Sequence, residues 1–239
     1  MSLILSLETS TTICSAALHD DGNLVASKEL PTPQSASSQL SPIVDQLLKE
    51  SKVSAKEVKA VAVASGPGSY TGLRIGVATA KGICYALQIP LIAINTLELM
   101  TYQIVNSSTS PSPLERGLGG EVGEALLCPM LDARRMEVYC LLTDLDLNSV
   151  EPTQAKIVDE ESFKEWLDRK PIYFFGNGAD KCREMIKHKN AKFMEGISPS
   201  ASQLGEMAFQ KFSRNEFEDL SSFEPHYLKE FIVKKPKTV

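Results

Sequence analysis

The chain has 239 residues, 43% of them hydrophobic, and its 25 basic and 30 acidic side chains give a net charge of −5. That length suffices for one large domain or for two lobes with cores of their own. The acidic balance excludes a protein that grips nucleic acid mainly through its own phosphate contacts, which needs a basic face, so any RNA role is shared with a partner.

Three short apolar or alternating segments, 2–7, 13–18 and 24–30, open the chain. Asp20-Asp21-Gly22-Asn23 joins the last two, and Asp-Gly between such runs signals a hairpin, so a three-stranded meander is predicted. Leu40, Ile43, Val44, Leu47 and Leu48 recur at helical spacing and predict an amphipathic helix, with Pro42 tolerable only near its first turn. A buried-type strand at 61–64, a helix over about 71–87, a strand at 90–94 and a helix at 97–105 capped by Thr96 follow. This half reads βββαβαβα.

Residues 107–123 are rich in Ser, Pro and Gly without periodicity and predict a loop between lobes. The pattern then restarts, with strands at 126–131, 138–143 and 155–158, a helix near 163–167, a strand at 172–175, a helix at 181–187, a strand at 192–194 and a helix at 203–212. A second βββαβαβα implies duplication: an α/β fold of two ribonuclease-H-like lobes facing each other across a cleft. The expected division is 1–105 for the first lobe, 106–124 for a flexible connection and 125–214 for the second, with 215–239 packing back on the first.

Cys14, Cys84, Cys128, Cys140 and Cys182 are scattered, odd in number and never spaced as CxxC, which fits a reducing, cytosolic setting. The opening MSLILSLE lacks the basic lead of a signal peptide, and no run of about 18 apolar residues could span a bilayer. A cytoplasmic chain without membrane contact is expected. His19, His188 and His226 are isolated, with no HxxxH or HExxH, and no serine stands in a GxSxG elbow. Neither a metal site nor a catalytic residue is expected.

Glu8-Thr9-Ser10 ends the first strand, and Asp132 with Arg134 stands at the matching place in the second half. Across a cleft, an acidic group and hydroxyls at each turn could hold a magnesium nucleotide; equally, Glu8 and Asp132 could cap their turns and pair with Arg134 or Arg135. As a phosphate hairpin the first turn is poor, because Ser10 stands where close backbone approach favours glycine. The Gly176-Asn177-Gly178 stretch reads as a turn before a helix, or as part of a base-binding wall. Lys229, Lys234, Lys235 and Lys237 form a modest basic tail, usually solvated.

The most distinctive segment is Gly66-Pro67-Gly68-Ser69-Tyr70-Thr71-Gly72-Leu73-Arg74-Ile75-Gly76, a strand exit, a Gly-Pro-Gly turn and a helix start. It resembles an anion-binding turn but lacks the GK[ST] end of a Walker loop. Along the helix, Gly72, Gly76 and Ala80 make a stripe poor in side chains. A glycine inside a helix costs roughly 0.5–1 kcal/mol, so the stripe needs a packing reason, either within its own lobe or from a second protein. Apolar Leu73 and Val77 beside it favour a second protein.

Taken in order, ILSLETST, SGPGSYTGLRIGVATAKGI and MLDARRMEVY closely resemble the TsaB (YeaZ) family of the actin-like superfamily, and the likeness runs over essentially the whole chain to Glu224-Pro225-His226-Tyr227-Leu228-Lys229. GPGSYTGLRIG is the specific part, since the sister family TsaD opens much like ILSLETS. TsaD-like proteins carry HxxxH on an early helix, whereas residues 33–40 here hold no histidine. That absence selects TsaB and leaves the superfamily's older glycoprotease (peptidase M22) label without a metal site. The resemblance implies a non-catalytic scaffold pairing with a TsaD-like catalytic subunit through its first two helices, here through Leu40, Val44, Leu47, Gly72, Leu73, Gly76, Val77 and Ala80. With a TsaE-like ATPase the pair would support threonylcarbamoyl transfer to adenosine 37 of tRNA, which this chain meets only through the complex. It further implies a homodimer in isolation through the same surface and no cofactor for this chain, with ATP or ADP at the partner interface. The rival readings are an actin-like ATPase or small-molecule kinase using Glu8 and Asp132, and a metalloprotease.

Overall fold

The computed structural model describes residues 2–31, 36–106 and 125–229. The first half contains β1 (Leu3–Glu8), β2 (Ile13–Asp20), β3 (Asn23–Pro31), α1 (Ala36–Glu50), β4 (Ala60–Gly66), α2 (Tyr70–Leu87), β5 (Leu91–Asn95) and α3 (Thr96–Val105). The second contains β6 (Leu126–Asp132), β7 (Glu137–Thr143), β8 (Ser149–Ile157), α4 (Lys164–Leu167), β9 (Ile172–Phe175), α5 (Ala179–Cys182), β10 (Ala191–Met194) and α6 (Leu204–Ser213). The sheets run β3-β2-β1-β4-β5 and β8-β7-β6-β9-β10, the same order. In each the first three strands pair antiparallel and the last two join parallel, so the duplication expected from the sequence is present.

Both faces of each sheet are covered, which is why β1 and β4 are almost continuously apolar. Leu3, Leu5 and Leu7 point to one side and join Leu40, Leu47, Val77 and Ala80 beneath α1 and α2. Ile4, on the other side, joins Ala62, Ile92, Leu204 and Ala208, so the covering helix there is α6 from the second half. Reciprocally, Leu97, Met100 and Ile104 of α3 pack on Leu127, Leu131 and Phe175 of the second sheet. Each half thus sends its closing helix to the other half's sheet, and the exchange ties the lobes together. The polar link Ser6 Oγ to His19 Nδ1 (3.0 Å) and His19 Nε2 to Ser202 O (3.1 Å) pins the lead-in of α6 to β1 and β2. Burial holds the His19 pKa down, so the ring is kept neutral there.

Four local expectations change. Helix α1 begins at Ala36, which puts Pro42 inside the helix and not in its first turn. The cap of α3 is Asn95, whose side chain accepts from Leu97 N and Glu98 N, while Thr96 is already helical. Strand β8 begins at Ser149, since pairing with β7 extends it upstream and an edge strand tolerates Pro152. The 181–187 helix shrinks to α5 followed by turns that still carry Ile186 into the core, because apolar periodicity reports burial and not hydrogen bonding. The 107–123 loop, residues 33–35 and the lysines at 234, 235 and 237 lie outside the described residues.

Candidate functional site

Helix α2 follows the Gly-Pro-Gly turn directly, capped by Ser69, whose hydroxyl accepts from Gly72 N. Its small-residue stripe faces inward. A Cβ on Gly72 would overlap Thr9 O, and one on Gly76 would overlap Thr9 Oγ1. Thr9 Oγ1 in turn donates to Gly72 O at 2.8 Å, and Ser69 N donates to Ser10 O at 2.6 Å. The packing reason for these glycines is therefore the turn after β1, in the same lobe, and no second protein is needed against them. Leu40, Val44, Leu47, Leu73, Val77 and Ala80, expected at the partner interface, are likewise buried in the first lobe. They hold α1 and α2 to the sheet.

The opposite face of α2 exposes Thr71, Arg74, Ala78, Gly82, Tyr85 and Ala86. Tyr85 is 83% exposed, and a Cβ on Gly82 would meet nothing within 4 Å. Sequence inspection passed over this second small-residue stripe, Ala78-Gly82-Ala86. Its signal was Gly82 itself, an interior helical glycine with the same unexplained cost as Gly72. Arg74 Nη1 lies 3.3 Å from Tyr70 Oη, with its guanidinium 5.4 Å above that ring.

At the start of α2 the two lobes enclose a cleft of about 520 Å³. Ser10, Gly68 and Tyr70 line it from the first lobe, and Asp132, Arg134 and Asn177 from the second. Glu8 and Asp132 do not meet there. Glu8 is fully buried, with its Oε1 accepting from Ser10 N (2.7 Å). Burial pushes its pKa up to about 7, against the hydrogen bonds from Ser10. Asp132 accepts from Lys181 Nζ and from Arg134 N (2.9 Å), while Asn177 Oδ1 accepts from Asp132 N. Against some desolvation, Lys181 and the Arg134 amide hold the Asp132 carboxyl below its usual range. Asp132 thus caps its turn through the Arg134 amide, but its ion-pair partner is neither Arg134 nor Arg135: it is Lys181, a residue not singled out in the sequence.

Residues 215–229 run back across the first lobe as a strap. Glu218 N donates to Leu91 O (2.9 Å), Lys81 Nζ to Phe223 O (3.0 Å) and His226 N to Ser65 O (2.7 Å). Gly66, at φ +105°, has no room for a side chain because His226 O would lie 2.9 Å from its Cβ. Tyr227 then packs on Tyr70 with ring centroids 4.8 Å apart, and Lys229 crosses to the second lobe to bond Glu137. These contacts span 92 to 161 positions of sequence, and no local pattern announces them. Among the described residues no group of three or more His, Cys, Asp or Glu could hold a metal ion, and no helix is long and apolar enough to cross a membrane.

A family model described as "TsaD: tRNA N6-adenosine threonylcarbamoyltransferase" matches residues 32–237. The Escherichia coli K12 protein named tRNA threonylcarbamoyladenosine biosynthesis protein TsaB is 28% identical over 97% of this chain and 96% of its own length. A Zymomonas mobilis tRNA N6-adenosine threonylcarbamoyltransferase is 36% identical, but over only 41% of this chain and 31% of its own. A Pseudomonas aeruginosa crystal structure of an uncharacterized protein with similarity to peptidase YEAZ superposes with a TM-score of 0.78, at 25% identity over 96% of this chain and all of that one. The near-complete match on one side and the partial match on the other place the branch: this chain belongs to the tRNA N6-adenosine threonylcarbamoyltransferase (TsaD) family and, within it, to the TsaB (YeaZ) group.

Proposed function

We propose that this chain is a non-catalytic subunit in the formation of threonylcarbamoyladenosine on tRNA, and that it docks a TsaD-like catalytic subunit on the outer faces of α1 and α2. The observation that carries the docking face is Gly82, an interior helical glycine whose Cβ position meets nothing within 4 Å among the described residues, flanked by exposed Ala78, Tyr85 and Ala86. A small-residue ridge beside a projecting aromatic ring suits close approach by a partner helix and a central anchor. The lack of catalysis is supported by the cleft, where Glu8 is turned inward and Asp132 is tied to Lys181, leaving no carboxylate pair for a magnesium nucleotide. The same arrangement disfavours the ATPase and kinase readings.

In this reading the chain works in the cytoplasm, a TsaE-like ATPase joins the pair, and tRNA is reached only through the complex. ATP or ADP would enter at the partner interface, and in isolation the chain would use the same face for a homodimer. A reconstituted modification assay with TsaD-like and TsaE-like proteins tests it. Modified adenosine is expected to appear only when this chain is added, and to be lost when Gly82→Arg replaces it. Full activity without the chain would overturn the proposal.

A further inference from the structure

We propose that Glu8 works a pH-sensitive clasp: protonated, it holds the turn after β1 shut against the start of α2, and ionised, it lets that turn open to water. Glu8 is fully buried and forms no ion pair among the described residues. A carboxylate without a cation is costly in such a place, whereas a hydrogen-bonded neutral carboxyl is not. Ser10 engages it through its amide, at 2.7 Å from Oε1, and through its hydroxyl, so the carboxyl is the inner anchor of the turn. The groups around it give an anion no relief. On β3, Glu29 acts on it with the same sign. On β2, Ser15 stands directly opposite, and the Cys14 thiol is held neutral, by burial first and by Glu8 second. Further along β2, His19 is kept neutral by burial. Strand β4 and the lead-in of α6 at 200–203 contain no titratable residue, and the inner side of α2 presents Gly72, Leu73 and Gly76.

What the carboxyl anchors is the seat of α2. Ser69 N donates to Ser10 O, Thr9 Oγ1 donates to Gly72 O, and a Cβ on Gly72 would overlap Thr9 O. Freeing residues 9–12 therefore frees the first turn of α2 from the sheet. The way to solvent is short, since Thr11 is half-buried and Thr12 is exposed. Opening hydrates the carboxyl and returns it toward its ordinary pKa of 4.5, whereas burial in the closed form holds it at about 7. Between these values the closed form keeps the proton and the open form loses it. Opening is thus promoted about tenfold per pH unit across that window and levels off above it. The clasp is tightest in mild acid and loosest from neutrality upward. It opens locally, without unfolding of the whole chain.

The clasp belongs to this chain alone and stands whether or not a partner docks on α2. Its test is amide hydrogen exchange, followed by NMR on the full chain from about pH 5 to pH 8 and corrected for the intrinsic exchange rate. Protection at the Ser10 and Ser69 amides should fall about tenfold per pH unit up to about pH 7 and then stay level. In Glu8→Gln, which keeps a neutral acceptor for Ser10 N, protection should not change with pH. Glu29→Gln alters an exposed position on β3 and removes the like charge, so the levelling point should move to lower pH. The Ile172 amide, in the second sheet, should show no slope of this kind. Level protection throughout in wild type, a slope that survives in Glu8→Gln, the same slope at Ile172, or a levelling point unmoved or raised in Glu29→Gln would overturn the proposal.

Discussion

On α2 the stripe Gly72-Gly76-Ala80 lies against the turn after β1, so tightly that a Cβ at either glycine would enter Thr9, whereas Ala78-Gly82-Ala86 on the far side faces open space beside Tyr85. Both stripes have the same spacing and nearly the same composition. The contrast teaches that spacing identifies a surface able to accept close approach, but only the surroundings tell whether the approaching atoms belong to the same chain. The inner stripe is fully used in the fold. The outer one carries the cost of a helical glycine with no return among the described residues, and that is the physical reason to look for its partner outside.

The comparison can be broken most directly by adding one methyl group on each side. Gly72→Ala pushes a Cβ into the backbone at Thr9, which cannot yield as a side chain could, and should destabilise the protein by about 3 kcal/mol or more in urea denaturation. If that variant unfolds like the wild type, the inner contact is not as tight as described.

Glu8 sharpens the same side, since its carboxyl supports the turn on which Gly72 rests. Its folded pKa of about 7 lies above the reference of 4.5, so the folded state binds more protons between these values and stability falls as pH rises through that window. Glu8→Gln removes the slope. Relative to wild type it should gain up to about 3 kcal/mol at pH 8 and little at pH 4, read from denaturation midpoints at the two pH values. A parallel pH dependence in both proteins would contradict the buried, raised carboxyl.

Smaller effects are expected from the strap and from the outer face. Lys229→Ala loses a half-buried ion pair with Glu137 and the link to the second lobe, worth about 1 kcal/mol in the same denaturation assay. Gly82→Ala, with open space around its Cβ, should stabilise the isolated chain by about 0.5–1 kcal/mol through helix propensity alone. A loss of stability there would mean that the outer stripe, too, is packed within the chain.

Much of the fold was legible in the sequence because burial on both faces writes itself into strands such as β1 and β4 as unbroken apolar runs, and because the order of elements repeats. Boundaries went astray where hydrogen bonding departs from burial, as at α5, and where two polar residues competed for one cap, as at Asn95 and Thr96. The exchange of α3 and α6 between lobes left no trace in a local pattern, since their apolar faces read the same whichever sheet they cover. The cleft was half legible. Ser10, Asp132 and Arg134 do line one cavity, but the inward turn of Glu8 and the pairing of Asp132 with Lys181 across 49 positions are long-range facts. Tyr227 was visible only as part of a closing motif and Lys229 also as the start of a solvated basic tail, without a reason to place them beside Tyr70 and Glu137.

The central claim is that the outer face of α2 is a docking surface, and one titration tests it most directly. A TsaD-like subunit is titrated calorimetrically into wild type and into Gly82→Arg, with thermal unfolding of each chain recorded alongside. The account predicts an unfolding midpoint in the variant at or slightly above that of wild type, from helix propensity, and binding that is lost, because an arginine at an unobstructed position disturbs nothing inside the chain and blocks whatever comes from outside. Equal affinity for both chains would contradict it.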